Sequence, residues 1–499
     1  VSVIIQIPGL TNSFKVPGNY RETKYGQGKI SIGAIPIKLA ITGTKTTAGS
    51  ATPNQDIVPI FSEDDADTYL GEGSECAMQA YAALQVAGVN LYAIPVAENG
   101  TAAAATGTIT VGGTWTTGGT VTVWCAGRAV QATVSAADTT TTVAASIRDA
   151  FNAMTRFPVT ATASVAVATV TARSKGTRGN DIVLRKDLSA APPGLTITLA
   201  GGTPLTGGMV PLSGGTGADD VTTVLGLLAS DVYDIQAWAQ NDATNAALIK
   251  AQLASESGAL IMHLEHAVFA KAGSLSNATS FASTTLNAYR ASCVWLRNAE
   301  VPPSVIAAQV AAIRSVTIGD NPNFRFDNVV CPSIPGQSQK ADIPLLSELN
   351  TALNNGVAPL TTNPDGTVKI VRAIQSHCLN GSSPDYRTLD WGDVDVPDRL
   401  SKELGAQWDV FATANQYVGP DPVEGEEPAP EGTGTPTLWN ADIVKVLKDA
   451  EQKNWITAVN DNLPVTQWNS AAKRLMSAVI AVVKPQNHQV GISVRQVAA

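Results

Sequence analysis

Leu345-Leu346-Ser347-Glu348-Leu349-Asn350-Thr351-Ala352-Leu353-Asn354-Asn355-Gly356 is followed, after a short gap, by Asn363-Pro364-Asp365-Gly366 and then by Thr367-Val368-Lys369-Ile370-Val371-Arg372. Leu345, Leu349 and Leu353 recur at i, i+4 and i+8, the spacing of one apolar stripe along a helix. Gly356 is a left-handed stop for that helix. Asn-Pro-Asp-Gly is turn chemistry, and Val368 and Ile370 begin a strand. The unit is helix, turn, strand, and many folds use one, so the surrounding chain decides which.

Outward from it, strands and helices alternate. Residues 35–41 read as a buried strand, 74–87 as a helix closed by Gly88, and 91–96 as the next strand. Further on, Val221, Val224, Leu225 and Leu228 mark a helix at i, i+3, i+4, i+7. Segments 233–238, 259–264 and 293–296 read as strands, with a helix at 243–254 behind the cap candidate Asp242 and another at 304–316. This pattern predicts an α/β sheet. It is interrupted at 101–211, a stretch dense in Thr, Ala and Gly. Short strands are expected there at 108–111, 121–124, 165–170, 182–184 and 195–199, with Gly112-Gly113 and Gly118-Gly119 as turns. A helix near 142–154 puts Val143, Ile147 and Phe151 on one face. The insertion is therefore β-rich.

Both ends read as strands on tethers. Val3, Ile5 and Ile7 share a strand face and are followed by Pro8-Gly9, Pro17-Gly18 and Gly26-Gln27-Gly28. At the other end, helices are expected at 442–452 and 469–483, stopping at Lys484-Pro485. Val490, Ile492 and Val494 then alternate with polar residues. Residues 419–437, rich in Pro, Gly and Glu, read as a mobile loop. The expected organisation is an N-terminal arm 1–29, core 30–100, an inserted β-rich domain 101–211, core 212–484 and a C-terminal arm 485–499. The fold class is multi-domain α/β with extended strand arms.

At 499 residues the chain exceeds what one core supports, so two or three domains are expected. Charged residues are 15%, and the net charge of −9 argues against a nucleic-acid surface. The longest apolar run, near 475–483, falls well short of the ~20 residues of a membrane helix, so no membrane insertion is expected. Val1-Ser2-Val3 lacks the basic start of a signal peptide, which predicts a protein made in a cytoplasm and soluble before assembly. Five cysteines at scattered positions form neither a disulfide framework nor a zinc motif and read as buried thiols.

Chemical motifs are few. Gly214-Gly215-Thr216-Gly217 opens a helix, but its spacing is not that of a dinucleotide loop and Asp219-Asp220 would repel a phosphate. His263 and His266 lie at a strand end, where i and i+3 point apart, so a metal pair is not expected. Asp390, Asp393, Asp395 and Asp398 lack the glycine and closing glutamate of a calcium loop; they read as caps for a helix at 399–404. Glu63-Asp64-Asp65 behind Ser62 is a capped first turn. No Gly-x-Ser-x-Gly turn occurs. Neither catalysis nor a cofactor is expected.

As residues, the segment that opens this reading resembles the sheath protein of contractile phage tails, the Mu-like branch in particular. There a Glu-x-Asn helix ends in Asn-x-Gly, and an Asp-Gly hairpin leads into a Val-Arg strand. Pro302-Pro303, Ala307-Ala308, Asp320-Asn321-Pro322 and Ile334-Pro335-Gly336 are similar to motifs before it. Leu379-Asn380, Pro384-Asp385-Tyr386 and Leu389-Asp390 are similar to motifs after it. Gly176-Thr177-Arg178-Gly179-Asn180-Asp181 and Gly214-Gly215-Thr216-Gly217 resemble two upstream loops. Gln375-Ser376-His377-Cys378 departs from the family's usual Thr-Thr-Tyr run.

The resemblance implies a structural subunit that polymerises helically around a tail tube and contracts to drive it through the host envelope. It implies strand exchange between copies, through Val3, Ile5, Ile7, Val490, Ile492 and Val494. Partners would be other copies, the tail tube protein, and baseplate and tail terminator proteins. The place would be the virion tail, with assembly in the host cytoplasm. Lys473-Arg474, on the helix expected at 469–483, is the candidate tube contact. A phage-derived injection or secretion sheath is the nearest alternative, and an α/β metabolic enzyme the alternative of another class.

Overall fold

The structure, a computed structural model, describes residues 35–423 and 427–488. The six arm residues Val3, Ile5, Ile7, Val490, Ile492 and Val494 lie outside the described residues.

The body is built on a nine-stranded sheet: β1 (Lys38–Thr44), β2 (Val58–Ile60), β3 (Asn90–Val96), β4 (Ile235–Trp238), β5 (His266–Ala272), β6 (Ala291–Leu296), β7 (Val330–Pro335), β8 (Val357–Thr362) and β9 (Thr367–Ile370). Their order is β7-β9-β8-β6-β5-β4-β1-β3-β2. The six strands from β8 to β3 run parallel, and antiparallel strands close both sides. A parallel sheet covered on both faces needs continuous apolar strands, and all six residues of β6 are buried.

Helices α1 (Glu63–Leu70) and α2 (Glu75–Leu84) follow the caps Ser62 and Ser74, whose side chains accept from Asp65 and Ala77 N–H groups. On one face Leu39 and Ile41 of β1 pack with Ala77 and Ala80 of α2 and with Ile306 and Val310 of α7 (Pro303–Ile318). On the other, Ala40, Trp238 and Phe269 pack with Leu225 of α4 (Thr222–Leu228), Ile249 of α5 (Ala243–Glu256) and Ala278 of α6 (Leu275–Ser280). All five cysteines are buried free thiols; burial pushes those of Cys293 and Cys331 up to about 12.

Between β3 and α4 stands a unit of two four-stranded antiparallel sheets with helix α3 (Thr140–Asn152). Its own core holds Ile109, Val121, Val143, Ile147 and Phe151. Two of its strands, Arg128–Val134 and Val159–Ser164, are absent from the expectations drawn from sequence. Their Thr and Ala content offers little apolar contrast, so the alternation is faint.

Helix α8 (Leu346–Asn354) ends at Gly356, whose φ is +72°. Its leucine stripe faces the core only toward its C-terminal end, where Leu353 is half-buried against it. Leu345 and Leu346 are 68% and 83% exposed, and Ala352 is the buried contact. A strand, β8, also intervenes between this helix and the Asp365-Gly366 turn.

Four further expectations are corrected. Residues 259–264 are not a strand: N–H groups of Ile261 and Met262 bond the Gly258 carbonyl in a tight turn, and β5 starts at His266. The acidic run does not precede a short helix; α9 (Gly392–Ala414) already contains Asp393, Asp395 and Asp398. The loop 419–437 is framed, because Tyr417–Val418 pairs with Thr433–Gly434 and α10 starts at Pro436 (Pro436–Gln452). Last, 469–483 is not a helix. Val465–Asn469 and Arg474–Ala478 form an antiparallel hairpin. Its turn is closed by Asn469 Oδ1 accepting from Ala472 N–H at 2.9 Å, with Lys473 left-handed at φ 51°. The alanines that read as helical lie in or beside that turn, and the flanking Val, Thr and Trp residues favour strands.

Candidate assembly interface

The C-terminal unit has its own core, in which Val396, Leu400 and Phe411 of α9 meet Trp439, Ile443 and Leu447 of α10 and Trp455 beyond it. It is joined to the sheet through buried charge. Arg314 of α7 donates to Asp395 at 2.6 Å, and Arg290 forks onto Asp398 at 2.6 and 2.8 Å. His266 sits between them, 2.9 Å from Asp398 and 3.2 Å from Arg314. Burial, aided by Arg314, pushes the His266 pKa down. Burial alone would raise the Asp398 carboxyl, but the Arg290 and His266 hydrogen bonds outweigh it and bring the pKa to about 2.

The inserted unit is joined in the same way, at the place where a doubly wound sheet usually takes a ligand. Strand order reverses at β1, so the usual crevice lies beyond the carboxyl ends of β1 and its neighbours. Thr44, the last residue of β1, donates to Glu75 Oε2 through N–H and hydroxyl. Glu75 in turn accepts from Arg178 at 2.7 and 2.9 Å, and Arg178 also donates to the buried Asp219. That crevice is filled by an ion-paired joint. The two loops singled out upstream meet beside it: Asn180 exchanges hydrogen bonds with Gly215 at 3.0 and 2.9 Å. Gly214–Gly217 is thus a structural turn. Among the described residues no group of three His, Cys, Asp or Glu side chains is placed to hold a metal ion. No helix among them is long and apolar enough to cross a membrane.

Both ends of the described residues approach one loop, 319–327, directly after α7. Ile35, the first described residue, donates its N–H to the Gly319 carbonyl at 3.1 Å. At the other end Gln486 donates to Asn323 at 3.0 Å and His488 lies 2.7 Å from Asp327. Arg325 bonds the Asn487 carbonyl. Residues 485–488, assigned from sequence to the arm, are therefore held on the body.

The hairpin offers strand edges. Among the described residues its two strands pair only with each other, each leaving one edge without a partner strand there. Thr466 anchors one face to α10 through Asn440 at 2.7 Å. The opposite face carries Val465 and Met476, about half exposed, and Leu463 and Ile480 add exposed apolar area beside it. An isolated two-stranded hairpin is marginal in water, and open edges are templates for another strand. Lys473 and Arg474 stand exposed at its tip. Sequence reasoning missed this surface because it placed a helix here. Val465-Thr466-Gln467-Trp468 was the available signal.

No family model matches the chain. The Mu-like prophage FluMu tail sheath protein of Haemophilus influenzae is 26% identical to it over 381 residues, 75% of this chain and 75% of that protein. Among solved structures, the sheath tail protein from Desulfitobacterium hafniense aligns at a TM-score of 0.49 and 12% identity, covering 93% of this chain and 100% of that one. The helical sheath of the anti-feeding prophage in its contracted state aligns at 0.48 and 10%, covering 97% and 99%. On the sequence match, which spans three quarters of both proteins, the chain is a relative of the Mu-like tail sheath proteins.

Proposed function

We propose that this chain is the subunit of a contractile tail sheath. It polymerises helically around a tail tube and, on release at the baseplate, shortens to drive the tube through the host envelope. The observation that carries this is the match to a tail sheath protein along 75% of both chains. The role is structural, not catalytic. The geometry supports it: charged joints hold the units together, and Ile35, Gln486 and His488, at the two ends of the described residues, are bonded to one loop.

Val3, Ile5, Ile7, Val490, Ile492 and Val494 are the strand faces exchanged between copies, and the hairpin Val465–Asn469 with Arg474–Ala478 receives them. A lone strand cannot satisfy its backbone in its own chain, so pairing with a neighbour's open edge is favoured. Contraction then repacks the bodies between two arrangements while the exchanged strands keep the mesh connected. Lys473 and Arg474 face the tube. The inserted unit 101–211 is peripheral, and the core comprises 30–100 and 212–484. Partners are other copies, tube protein, baseplate and tail terminator proteins. The protein assembles in the host cytoplasm and resides in the virion tail.

The test is deletion of residues 1–18, or of everything after Pro485, in chain co-expressed with tube protein. Sedimentation and electron microscopy should show folded subunits and no extended sheath. Sheaths of normal length from either truncation would overturn strand exchange.

A further inference from the structure

The root of the C-terminal segment is held residue by residue. The Lys484 N–H donates to the Trp455 carbonyl at 3.0 Å, and its own carbonyl accepts from Asn323 Nδ2 at 3.0 Å. Gln486 Nε2 donates to Asn323 Oδ1, and Arg325 bonds the Asn487 carbonyl. His488 closes the run: Nδ1 lies 2.7 Å from Asp327 Oδ2, and Nε2 lies 3.5 Å from Asp390 Oδ2. Its side chain is only 12% exposed, as is that of Asp327. Asn323, Lys484, Gln486 and His488 line one side of a cavity of about 270 Å³ whose other wall is Arg372, Asp390, Gly392 and Asp393.

Carboxylates crowd this place. Asp327, Asp390 and Asp393 face it from the loop and from the start of α9. Arg372 is spent on Asp390 through two 2.8 Å bonds, Lys484 Nζ turns to Asn454, and Arg325 lies 3.6 Å from Asp327 at the exposed rim. The imidazole Nδ1 meets Asp327 Oδ2 at 2.7 Å, whereas Nε2 is buried beside Asp390 without a hydrogen bond to it.

We propose that His488 is a positioning residue for assembly: held on Asp327, it fixes residues 484–488 on the body as the root of the C-terminal arm proposed above. This rests on the sheath reading and deepens it. The N-terminal segment is rooted eight residues away on the same loop, through the Ile35–Gly319 bond. A clasp at His488 therefore holds Ile35 and His488, the two ends of the described residues, in one mutual geometry, which a repeating lattice requires of every copy. Freed at that point, the C-terminal strand would search a wide volume, lowering its effective concentration at a neighbour's sheet edge.

The experiment uses the full chain with His488→Ala, Asp327→Ala and His488→Lys. Hydrogen exchange on unassembled subunits reads the clasp itself. Amides at 484–488 should exchange at least about tenfold faster in the two alanine variants and recover in His488→Lys, with thermal stability unchanged. Electron microscopy of the same variants with tube protein reads assembly: few or short sheaths for the alanine variants, restored by His488→Lys. Unchanged exchange at 484–488, or full-length sheaths from a variant whose tail is freed, overturns the proposal. A wild-type chain that makes no polymer with tube protein overturns the sheath reading instead, and the exchange measurement still decides the clasp.

Discussion

Arg372 and Asp390 form a bidentate pair: Nε meets Oδ1 and Nη2 meets Oδ2, both at 2.8 Å, tying the end of β9 to the start of α9. These are the Arg of the Val-Arg strand and the Asp of the Leu-Asp motif that the sequence resemblance rests on. Two motifs 18 residues apart are thus halves of one joint. The hydrogen bonds Arg372 donates to Asp390 hold its pKa above its usual range.

Truncating either member leaves the other partly buried and unpaired. Arg372→Ala and Asp390→Ala should each cost about 2 kcal/mol in urea unfolding. A double-mutant cycle should return a coupling of about 1–2 kcal/mol. Additive single effects would show that the pair is idle.

Acid should loosen the sheet from α9. Asp398 titrates at about 2 in the folded chain, against about 3.9 for an unfolded aspartate. Because the folded value is the lower one, the unfolded chain binds the proton more readily. The stabilisation is therefore complete above about pH 4 and is lost as pH falls through about 2, a loss of about 2–3 kcal/mol. Asp398→Asn should flatten that limb between pH 4.5 and 2.5; an equally steep loss in the variant would assign the acid sensitivity elsewhere.

Removing the inserted unit should need compensation. Its Arg178 serves Glu75 and Asp219, and its Arg185 serves Glu300, and all three carboxylates are buried or nearly so. Replacing 101–211 with a Gly/Ser linker strands them, at about 3–5 kcal/mol for each buried pair broken. Adding Glu75→Gln, Asp219→Asn and Glu300→Gln should restore thermal stability, and sheath should then form normally. Absence of polymer from that folded variant would show the unit is not peripheral.

Charge at the hairpin tip should matter for tube attachment. Lys473→Glu with Arg474→Glu should weaken co-assembly with tube protein and make the remainder salt-sensitive, since exposed charges are screened within about 10 Å at 0.1 M salt. Identical co-sedimentation across a salt series would remove both residues from the contact.

Sequence by itself determined what depends on neighbours along the chain. Ser62, Ser74 and Asp242 announce helix starts because their side chains satisfy N–H groups three residues on. Gly356 announces a stop because a left-handed residue without Cβ costs little there. The apolar run 293–296 announces a strand, and the structure extends it to Ala291 with every residue buried. Tertiary structure alone decided the rest. Glu75 and Arg178 are 103 residues apart, and no local periodicity links them. Leu345 heads the helical stripe yet is exposed while Leu353 packs on the core, because which part of a short helix is covered depends on what the sheet places beside it. At 469–483, alanine propensity favoured a helix by tenths of a kcal/mol per residue. Cross-strand pairs and packing of Thr466 against α10 outweighed it, because contacts between distant segments add up where single-residue preferences are small.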